Sequence, residues 1–257
     1  MEKLFIKNRK GQKVCVFVEQ PAGKPKGLAI VMHGRSGGKD EPHIATFARA
    51  FLNNAYTVIR FDTTNTFGES EGKFEDVTLT GFYEDLEDVI SWSKMQAWYQ
   101  SPFCLAGHSL GAIAVALYAE KHPEEVKALA PISTVVSGEH IIGAMDRGVL
   151  EEWKRTGWWI QRSVSKQGLI KRLKWSHATD LLQYDLMPAI NQLTMPILMV
   201  VGSDDVITPW QEQKGMFDAL PHQFKEFHLI QGAPHTFRDP AHLAEIEQIF
   251  NAWIQKL

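Results

Sequence analysis

The chain has 257 residues, of which 44% are hydrophobic, and its net charge is -3 at pH 7. This length allows one large globular domain, and the near-neutral charge argues against nucleic acid as a partner. No segment has 18 uninterrupted apolar residues, and the two cysteines, Cys15 and Cys104, lie in apolar runs without metal-type spacing. These features predict a cytoplasmic protein with reduced thiols, no metal site and no stable insertion into a membrane.

The predicted elements begin with a β-hairpin, because residues 1–20 alternate polar and apolar side chains around a turn at 8–12. This segment lacks the continuous apolar core of a signal peptide. Six short apolar runs then predict strands covered by helices on both faces: 27–33, 57–62, 102–107, 126–133, 196–202 and 225–230. Helical patterns between them lie at about 42–54, 82–96, 110–121, 210–219 and 240–256. This alternation predicts the α/β class, with a mostly parallel central sheet and helices on both of its faces.

The alternation is interrupted once, between residues 134 and 190, where the sequence predicts helices and loops in place of strands. Because a strand pattern resumes at Pro196, we interpret this segment as a helical cap inserted above the sheet, within a single domain of residues 1–257. Residues 151–175 hold four of the eight tryptophans, and seven Lys or Arg against two Glu. The cap is therefore predicted to be aromatic and basic.

A serine stands between two glycines where one predicted strand turns into the following helix. The sequence Gly107-His108-Ser109-Leu110-Gly111 joins the apolar run 102–106 to the apolar helix 112–119. Such a turn leaves room only for residues without bulk on either side of the serine, and glycine meets that need. The turn also lifts the hydroxyl out at the carboxyl edge of the sheet, where open α/β sheets bind ligands. A serine that only caps the helix is the alternative, but the strand, the helix and both glycines favour a nucleophile.

A serine hydroxyl becomes a good nucleophile only when a base takes its proton and an acid orients that base. Two later loops, each after a predicted strand, supply these groups in the chain order Ser, Asp, His. Loop 203–209 holds Asp204 and Asp205, and loop 231–237 holds His235, the histidine favoured because it follows a strand end in a glycine-containing loop. Three other histidines of this region lack that context: His222, His228 and His242.

These motifs resemble those of the α/β-hydrolase superfamily of serine hydrolases. The elbow G-H-S-L-G, the acid loop G-S-D-D-V-I-T-P (202–209) and the histidine loop G-A-P-H-T-F (232–237) each match the family pattern. A further match is the loop that begins F-D and continues G-E-S-E-G (61–72). The family spacing places the acid at Asp205, so that Asp204 becomes a turn residue bonded to its own backbone. The chain is similar to small carboxylesterases of the feruloyl and cinnamoyl type and to single-domain relatives of prolyl oligopeptidase.

The resemblance also implies an oxyanion hole made of two backbone N–H groups. The loop 33–38 matches the family's oxyanion loop, which implies the N–H of Arg35 as one donor and the N–H of Leu110, at a helix N-terminus, as the other. The Arg35 side chain departs from the small or apolar residue often found there, and its guanidinium either reaches a substrate carboxylate or is a solvated loop charge. His33 is expected to brace this loop, and the His108 side chain to point away from the serine.

We therefore predict acyl transfer to water, in which Ser109 attacks a carbonyl carbon, His235 relays the proton and Asp205 holds the imidazole. The predicted substrate is a carboxylic ester of a small or medium acyl group, aryl groups included, and no metal or organic cofactor is needed. A peptidase of the aminopeptidase type and a thioesterase are the alternatives. A binding protein that has lost its chemistry is disfavoured, because all three residues are present in order.

The cap has three interpretations that the sequence leaves open. In the first, its tryptophans Trp153, Trp158 and Trp159 contact the acyl group of the substrate. In the second, the cap contacts an anionic lipid surface or a second copy of the chain, which would form a homodimer. In the third, the tryptophans pack on the body of the protein and the lysines are solvated.

Overall fold

The computed structural model describes residues 1–162, 168 and 170–257. The described residues form ten strands, β1 (Glu2–Lys7), β2 (Lys13–Glu19), β3 (Gly27–Met32), β4 (Tyr56–Phe61), β5 (Phe103–His108), β6 (Val126–Ile132), β7 (Trp158–Arg162), β8 (Ile170–Lys174), β9 (Ile197–Gly202) and β10 (Lys225–Ile230). They also form eight α-helices, α1 (Pro42–Asn53), α2 (Leu79–Ser93), α3 (Leu110–Lys121), α4 (Gly138–Gly143), α5 (Arg147–Thr156), α6 (Trp175–Leu181), α7 (Trp210–Ala219) and α8 (Pro240–Ile254).

Eight of the strands form one sheet in the order β1-β2-β4-β3-β5-β6-β9-β10. β1 and β2 form the antiparallel hairpin that the sequence predicts at the N-terminus, and β2 is also antiparallel to β4. From β4 to β10 every neighbouring pair of strands is parallel. The predicted α/β class with a mostly parallel central sheet is therefore confirmed.

Helices cover both faces of this sheet, which explains the continuous apolar runs of its central strands. In β3, Leu28, Ile30 and Met32 belong to the core under α2 and α3. Ala29 and Val31, which point the other way, belong to the core under α1 and α8. Within the described ranges, no helix combines the length and the apolar content needed to cross a membrane.

The carboxyl ends of the parallel strands lie along one edge of the sheet. Because parallel strands run in the same direction, the loops that follow them converge at that edge. The loops after β3, β5, β9 and β10 carry Arg35, Ser109, Asp205 and His235 respectively. The sheet therefore collects residues from distant parts of the chain at one place.

Between β6 and β9 the chain leaves the sheet and forms an insertion, residues 133–196, that contains α4, α5, α6 and the antiparallel hairpin β7–β8. The sequence predicts only helices and loops here, so the hairpin is a correction. Three of its five cross-strand pairs join an apolar and a cationic residue, as in Trp158 with Lys174 and Ile160 with Arg172. Neither strand consequently shows the continuous apolar run of the buried strands. Lys166, one of the seven basic residues counted in this region, lies outside the described residues.

Candidate active site

Ser109 lies at the turn between β5 and α3, with φ 56° and ψ -117°. A positive φ is uncommon for a residue with a side chain and persists only where the surroundings fix it. Here the Ser109 N–H donates to the Ile132 carbonyl at 3.0 Å. A Cβ on Gly107 would lie 2.5 Å from the Gly111 carbonyl oxygen, and one on Gly111 would lie 2.4 Å from that of His33. Both glycines are therefore required by close backbone approach at the turn.

The Ser109 hydroxyl, the His235 imidazole and the Asp205 carboxylate form one hydrogen-bonded row. Ser109 Oγ lies 2.9 Å from His235 Nε2, and His235 Nδ1 lies 2.8 Å from Asp205 Oδ2. Because the carboxylate accepts the Nδ1–H, the lone pair of Nε2 is left to accept the serine proton. The side chain of Asp205 has no exposed surface, and that of His235 is 15% exposed. The structure thus brings together the three residues that the sequence singled out.

The Asp205 carboxylate is held by more than the histidine. Its Oδ1 accepts the backbone N–H groups of Ile207 at 3.0 Å and Thr208 at 2.9 Å, and its Oδ2 accepts the Thr208 hydroxyl at 2.9 Å. Burial works against the charge, but the hydrogen bond from His235, followed by those from Thr208, lowers the pKa of the Asp205 carboxyl. Thr208, the threonine of the matched acid loop, was not among the residues predicted from the sequence.

Asp204, the alternative acid, has a different environment. It is exposed, its carboxylate accepts the Ser203 hydroxyl at 2.8 Å, and its backbone N–H donates to the Ala233 carbonyl at 3.0 Å. Its side chain therefore contacts a neighbour in its own loop, while its backbone joins the acid loop to the histidine loop. Within the described residues, only Asp205 of these two carboxylates is hydrogen-bonded to His235.

Two buried histidines brace the backbone around this row. His33 donates from Nδ1 to the Gly34 carbonyl at 2.7 Å and accepts the Thr63 N–H at Nε2 at 3.0 Å, so it braces loop 33–38 as expected. His108 points away from the serine and donates from Nε2 to the His235 carbonyl at 2.8 Å. Burial lowers the pKa of His33, and burial followed by the nearby His235 lowers the pKa of His108 to about 3. Both imidazoles are therefore neutral at physiological pH.

The segment after loop 33–38 is anchored by an ion cluster in which Lys39 and Asp62 are buried and Glu69 is exposed. Asp62 accepts the backbone N–H groups of Lys39 at 2.7 Å and Glu69 at 2.9 Å. The Lys39 ammonium lies 2.9 Å from both carboxylates, and these hydrogen bonds, led by that to Glu69, raise the pKa of Lys39 against the effect of its burial. In the part of the chain that the structure describes, Cys15, Asp62 and Glu69 are the one grouping of three possible metal ligands. The lysine already supplies the positive charge there.

Arg35 connects the oxyanion loop with the insertion. A Cβ on Gly34 would lie 3.1 Å from the Ser109 Cβ, which places the next peptide group beside the serine. The Arg35 guanidinium is half-buried, donates from Nη1 to His177 Nε2 at 3.1 Å and lies 5.6 Å from the centroid of a Trp159 ring. Burial lowers the pKa of Arg35 to about 10, so it stays protonated at neutral pH. The interpretation of Arg35 as a solvated loop charge is therefore wrong.

The three tryptophans predicted to contact substrate occupy different environments. Trp153 is 1% exposed and donates its indole N–H to the Leu173 carbonyl at 3.1 Å, so most of its ring packs inside the insertion. Trp159 is half-buried, with its ring centroid 5.0 Å from that of Trp153, and Trp158 lies under the Arg172 guanidinium at 4.4 Å. These rings, α5 and the hairpin line a groove of about 630 Å³ on the insertion.

The strand order, the strained serine turn and the row of serine, histidine and aspartate define an α/β-hydrolase. A family profile described as serine aminopeptidase, S33, matches residues 23–189, and the chain belongs to this family. The expected membership in the α/β-hydrolase superfamily is thereby confirmed. Relatives in this group are hydrolases of the esterase, thioesterase and lipase types.

Two characterised relatives illustrate this range. The mitochondrial palmitoyl-protein thioesterase ABHD10 of Bos taurus is 23% identical over 209 residues, a match that covers 80% of this chain and 65% of the bovine protein. The monoglyceride lipase of Homo sapiens is 26% identical over 278 residues, with 97% of this chain and 89% of the human protein covered. The match therefore leaves about a third of the bovine thioesterase uncovered.

Two solved structures share the fold over nearly the whole chain. Est1E from Butyrivibrio proteoclasticus, solved with ferulic acid bound, has a TM-score of 0.84 at 22% identity and covers 98% of both chains. The mouse α/β-hydrolase domain-containing protein 10 has a TM-score of 0.81 at 20% identity and covers 100% of this chain and 99% of its own. At these identities the structures establish the fold.

Proposed function

We propose that this protein is a serine hydrolase that cleaves carboxylic esters of small or medium acyl groups, aryl groups included, through an acyl-enzyme. The observation that carries the proposal is the spacing of the row, 2.9 Å from Ser109 Oγ to His235 Nε2 and 2.8 Å from His235 Nδ1 to Asp205 Oδ2. Distances of this size allow direct proton transfer between serine and imidazole. The buried, multiply bonded carboxylate of Asp205 holds the imidazole in the tautomer that this transfer needs.

The first half of the reaction forms the acyl-enzyme. Ser109 Oγ attacks the carbonyl carbon while its proton passes to His235 Nε2, and the imidazolium is stabilised by the Asp205 carboxylate. The carbonyl oxygen becomes an oxyanion. We assign the backbone N–H groups of Leu110 and Arg35 as the donors that hydrogen-bond to it. When the tetrahedral intermediate collapses, the bond to the leaving oxygen breaks and the imidazolium gives its proton to the departing alcohol.

The second half repeats these steps with water. His235 Nε2 takes a proton from a water molecule, whose oxygen attacks the acyl carbon. The new oxyanion accepts hydrogen bonds from the same two N–H groups. Collapse breaks the bond to Ser109 Oγ, which recovers its proton from the imidazolium. The products are a carboxylic acid and the regenerated serine, and the mechanism uses only protein groups and water.

We propose that the insertion binds the acyl group of the substrate. Trp159 lies between the two regions, because its ring faces the Arg35 guanidinium of the oxyanion loop and also lines the groove of about 630 Å³. Pockets of this size accept a small or medium ligand, and aromatic walls favour apolar or aryl groups. Trp158, on the same groove, is the second proposed contact with the substrate.

A thioester substrate is the second candidate. It is supported by the similarity to the bovine palmitoyl-protein thioesterase and by the excess of basic residues in 151–175, which would attract a phosphate-bearing carrier. The same serine attack applies, but a thiol leaves as the more stable anion and depends less on the proton from His235. An amide is the third candidate, in line with the family profile; its amine leaves only after it takes the proton that His235 supplies.

The proposal is tested by turnover of p-nitrophenyl acetate, butyrate and octanoate, of methyl ferulate and of butyryl thioesters, in the wild type and Ser109→Ala. We expect ester hydrolysis with an initial burst of p-nitrophenol close to one equivalent, and a loss of about 10⁴-fold or more in kcat for Ser109→Ala. Thermal unfolding of both proteins controls for folding. Ester turnover that survives in a folded Ser109→Ala variant would refute the assignment.

A further inference from the structure

Arg35 is a half-buried cation whose charge has no acidic partner within residues 1–162, 168 and 170–257. Its polar contact there is His177 Nε2, at 3.1 Å. The remaining residues, 163–167 and 169, include neither Asp nor Glu. Removing a cation from water is unfavourable unless an anion compensates for it. A charge held in this way beside an active site therefore needs an explanation.

The histidine that holds Arg35 is neutral and cannot itself pair with the charge. His177 donates from Nδ1 to the Val77 carbonyl at 3.0 Å, which leaves Nε2 as an acceptor for the guanidinium. Burial, followed by the Arg35 charge, lowers the pKa of His177 to about 3. Trp159 lies under the guanidinium on another side. Together they fix its position, and a guanidinium has five N–H donors, of which His177 uses one.

This cation extends from a loop whose backbone packs beside Ser109. The backbone of Arg35 follows Gly34, which packs against Ser109, and its side chain extends to Trp159 and His177 of the insertion. The guanidinium therefore lies where the oxyanion loop meets the insertion, the same junction at which we place the acyl group. An immobilised guanidinium whose other donors have no acceptor among the described residues is the kind of group that proteins use to bind carboxylates and phosphates.

We propose that Arg35 binds an anionic group of the substrate, a carboxylate or phosphate carried on the acyl chain or on the leaving group, so that the enzyme selects acidic esters. This proposal rests on the proposed function. The basic character of residues 151–175, with seven Lys or Arg against two Glu, supports it, because a field of that sign concentrates anions at the site.

The test compares kcat/KM for two substrate pairs that differ in one negative charge. Mono-p-nitrophenyl glutarate and p-nitrophenyl pentanoate place the charge on the acyl side, and 4-carboxyphenyl butyrate and phenyl butyrate place it on the leaving group. We expect Arg35→Gln, whose amide still reaches toward His177, to lower the charged-to-neutral ratio at least tenfold in one pair. The affected pair identifies the side that carries the anion. Arg35→Lys, which keeps the charge, should lose less of the ratio.

The matched control is Arg155→Gln, because Arg155 is an exposed arginine of the same insertion that is paired with Glu152. It should leave both ratios within twofold of the wild type. Ratios that stay unchanged in Arg35→Gln, or that fall equally in Arg35→Lys and Arg35→Gln, would overturn the selection of acidic esters while leaving the esterase intact. A wild type that hydrolyses none of the four esters would instead refute the proposed function.

Discussion

The carboxyl edge of the sheet and the insertion above it hold their side chains in different ways. At the edge, loop backbone fixes the reacting groups, because the Ser109 N–H bonds to β6 and the Asp205 carboxylate accepts two N–H groups of its own loop. In the insertion, rings and cations fix one another, as with Trp153 against Trp159 and Arg172 over Trp158. A rigid edge suits chemistry that tolerates little displacement, whereas an insertion built from side-chain contacts suits recognition.

The hairpin of the insertion also presents a surface that the sheet edge lacks. One face of β7–β8 carries three cross-strand pairs, each made of an apolar and a cationic residue: Trp158 with Lys174, Ile160 with Arg172, and Arg162 with Ile170. Ile160 is 62% and Ile170 is 58% exposed. One interpretation of the sequence is that the cap forms a homodimer or contacts a lipid surface. This face is where we expect either contact, and both stay predictions.

The largest expected effect distinguishes the two neighbouring carboxylates at the sheet edge. Asp205→Asn should reduce kcat for p-nitrophenyl butyrate by about 10⁴-fold, because a carboxamide no longer holds His235 in the required tautomer. Asp204→Asn, the matched control, should stay within about threefold, since that side chain is exposed and bonded to Ser203. Steady-state kinetics of the two folded variants measures both. Equal losses would mean that burial and hydrogen bonding do not identify the acid.

The next effect concerns the packing of the insertion. Trp153→Ala removes its buried central ring and should lower the free energy of unfolding by about 3–5 kcal/mol. Trp158→Ala, also in the insertion but only half-buried, should lower it by less than about 1 kcal/mol while reducing kcat/KM for aryl esters several-fold. Urea unfolding followed by circular dichroism, together with kinetics, gives both quantities. If Trp158→Ala lowered the free energy of unfolding as much as Trp153→Ala, this would contradict the assignment of Trp153 to packing and of Trp158 to substrate contact.

The smallest effect is the dependence of stability on pH in the two regions. His108 under the sheet edge and His177 at the insertion both have a pKa lowered to about 3 by burial. In the unfolded chain the pKa of a histidine is about 6.5, so between pH 6.5 and pH 3 the unfolded chain binds a proton that the folded chain does not. The free energy of unfolding is therefore fully present above pH 6.5 and falls as pH decreases. Each histidine contributes up to about 1.4 kcal/mol per pH unit.

Replacing either residue by glutamine should therefore make the loss of stability between pH 6 and pH 4 less steep. Urea unfolding at several pH values measures the slope for the wild type, His108→Gln and His177→Gln. His108→Gln retains a donor for the His235 carbonyl, so its slope reports mainly the removed titration. Slopes equal to that of the wild type in both variants would show that neither imidazole stays neutral in the fold.

The sequence predicted the sheet edge far better than the insertion, for physical reasons. Buried strands give continuous apolar runs, and the serine turn needs glycine at 107 and 111, so each left a local signal. Arg35 and His177 meet across 142 positions of chain, and no local pattern indicates such a contact. The hairpin was not predicted because its strands pair Trp158 and Ile160 with cationic residues, so neither strand has a continuous apolar run. Thr208 was not predicted because its hydroxyl hydrogen-bonds to the side chain of another residue, Asp205.

The most direct measurement of the central claim is the intact mass of the protein after incubation with a fluorophosphonate, followed by peptide mapping. We predict a single adduct on Ser109, which is absent from Ser109→Ala and forms more slowly in Asp205→Asn, because only a hydroxyl activated by the histidine attacks phosphorus at a useful rate. No adduct in folded protein, or an adduct on another residue, would contradict the assignment of Ser109 as the nucleophile.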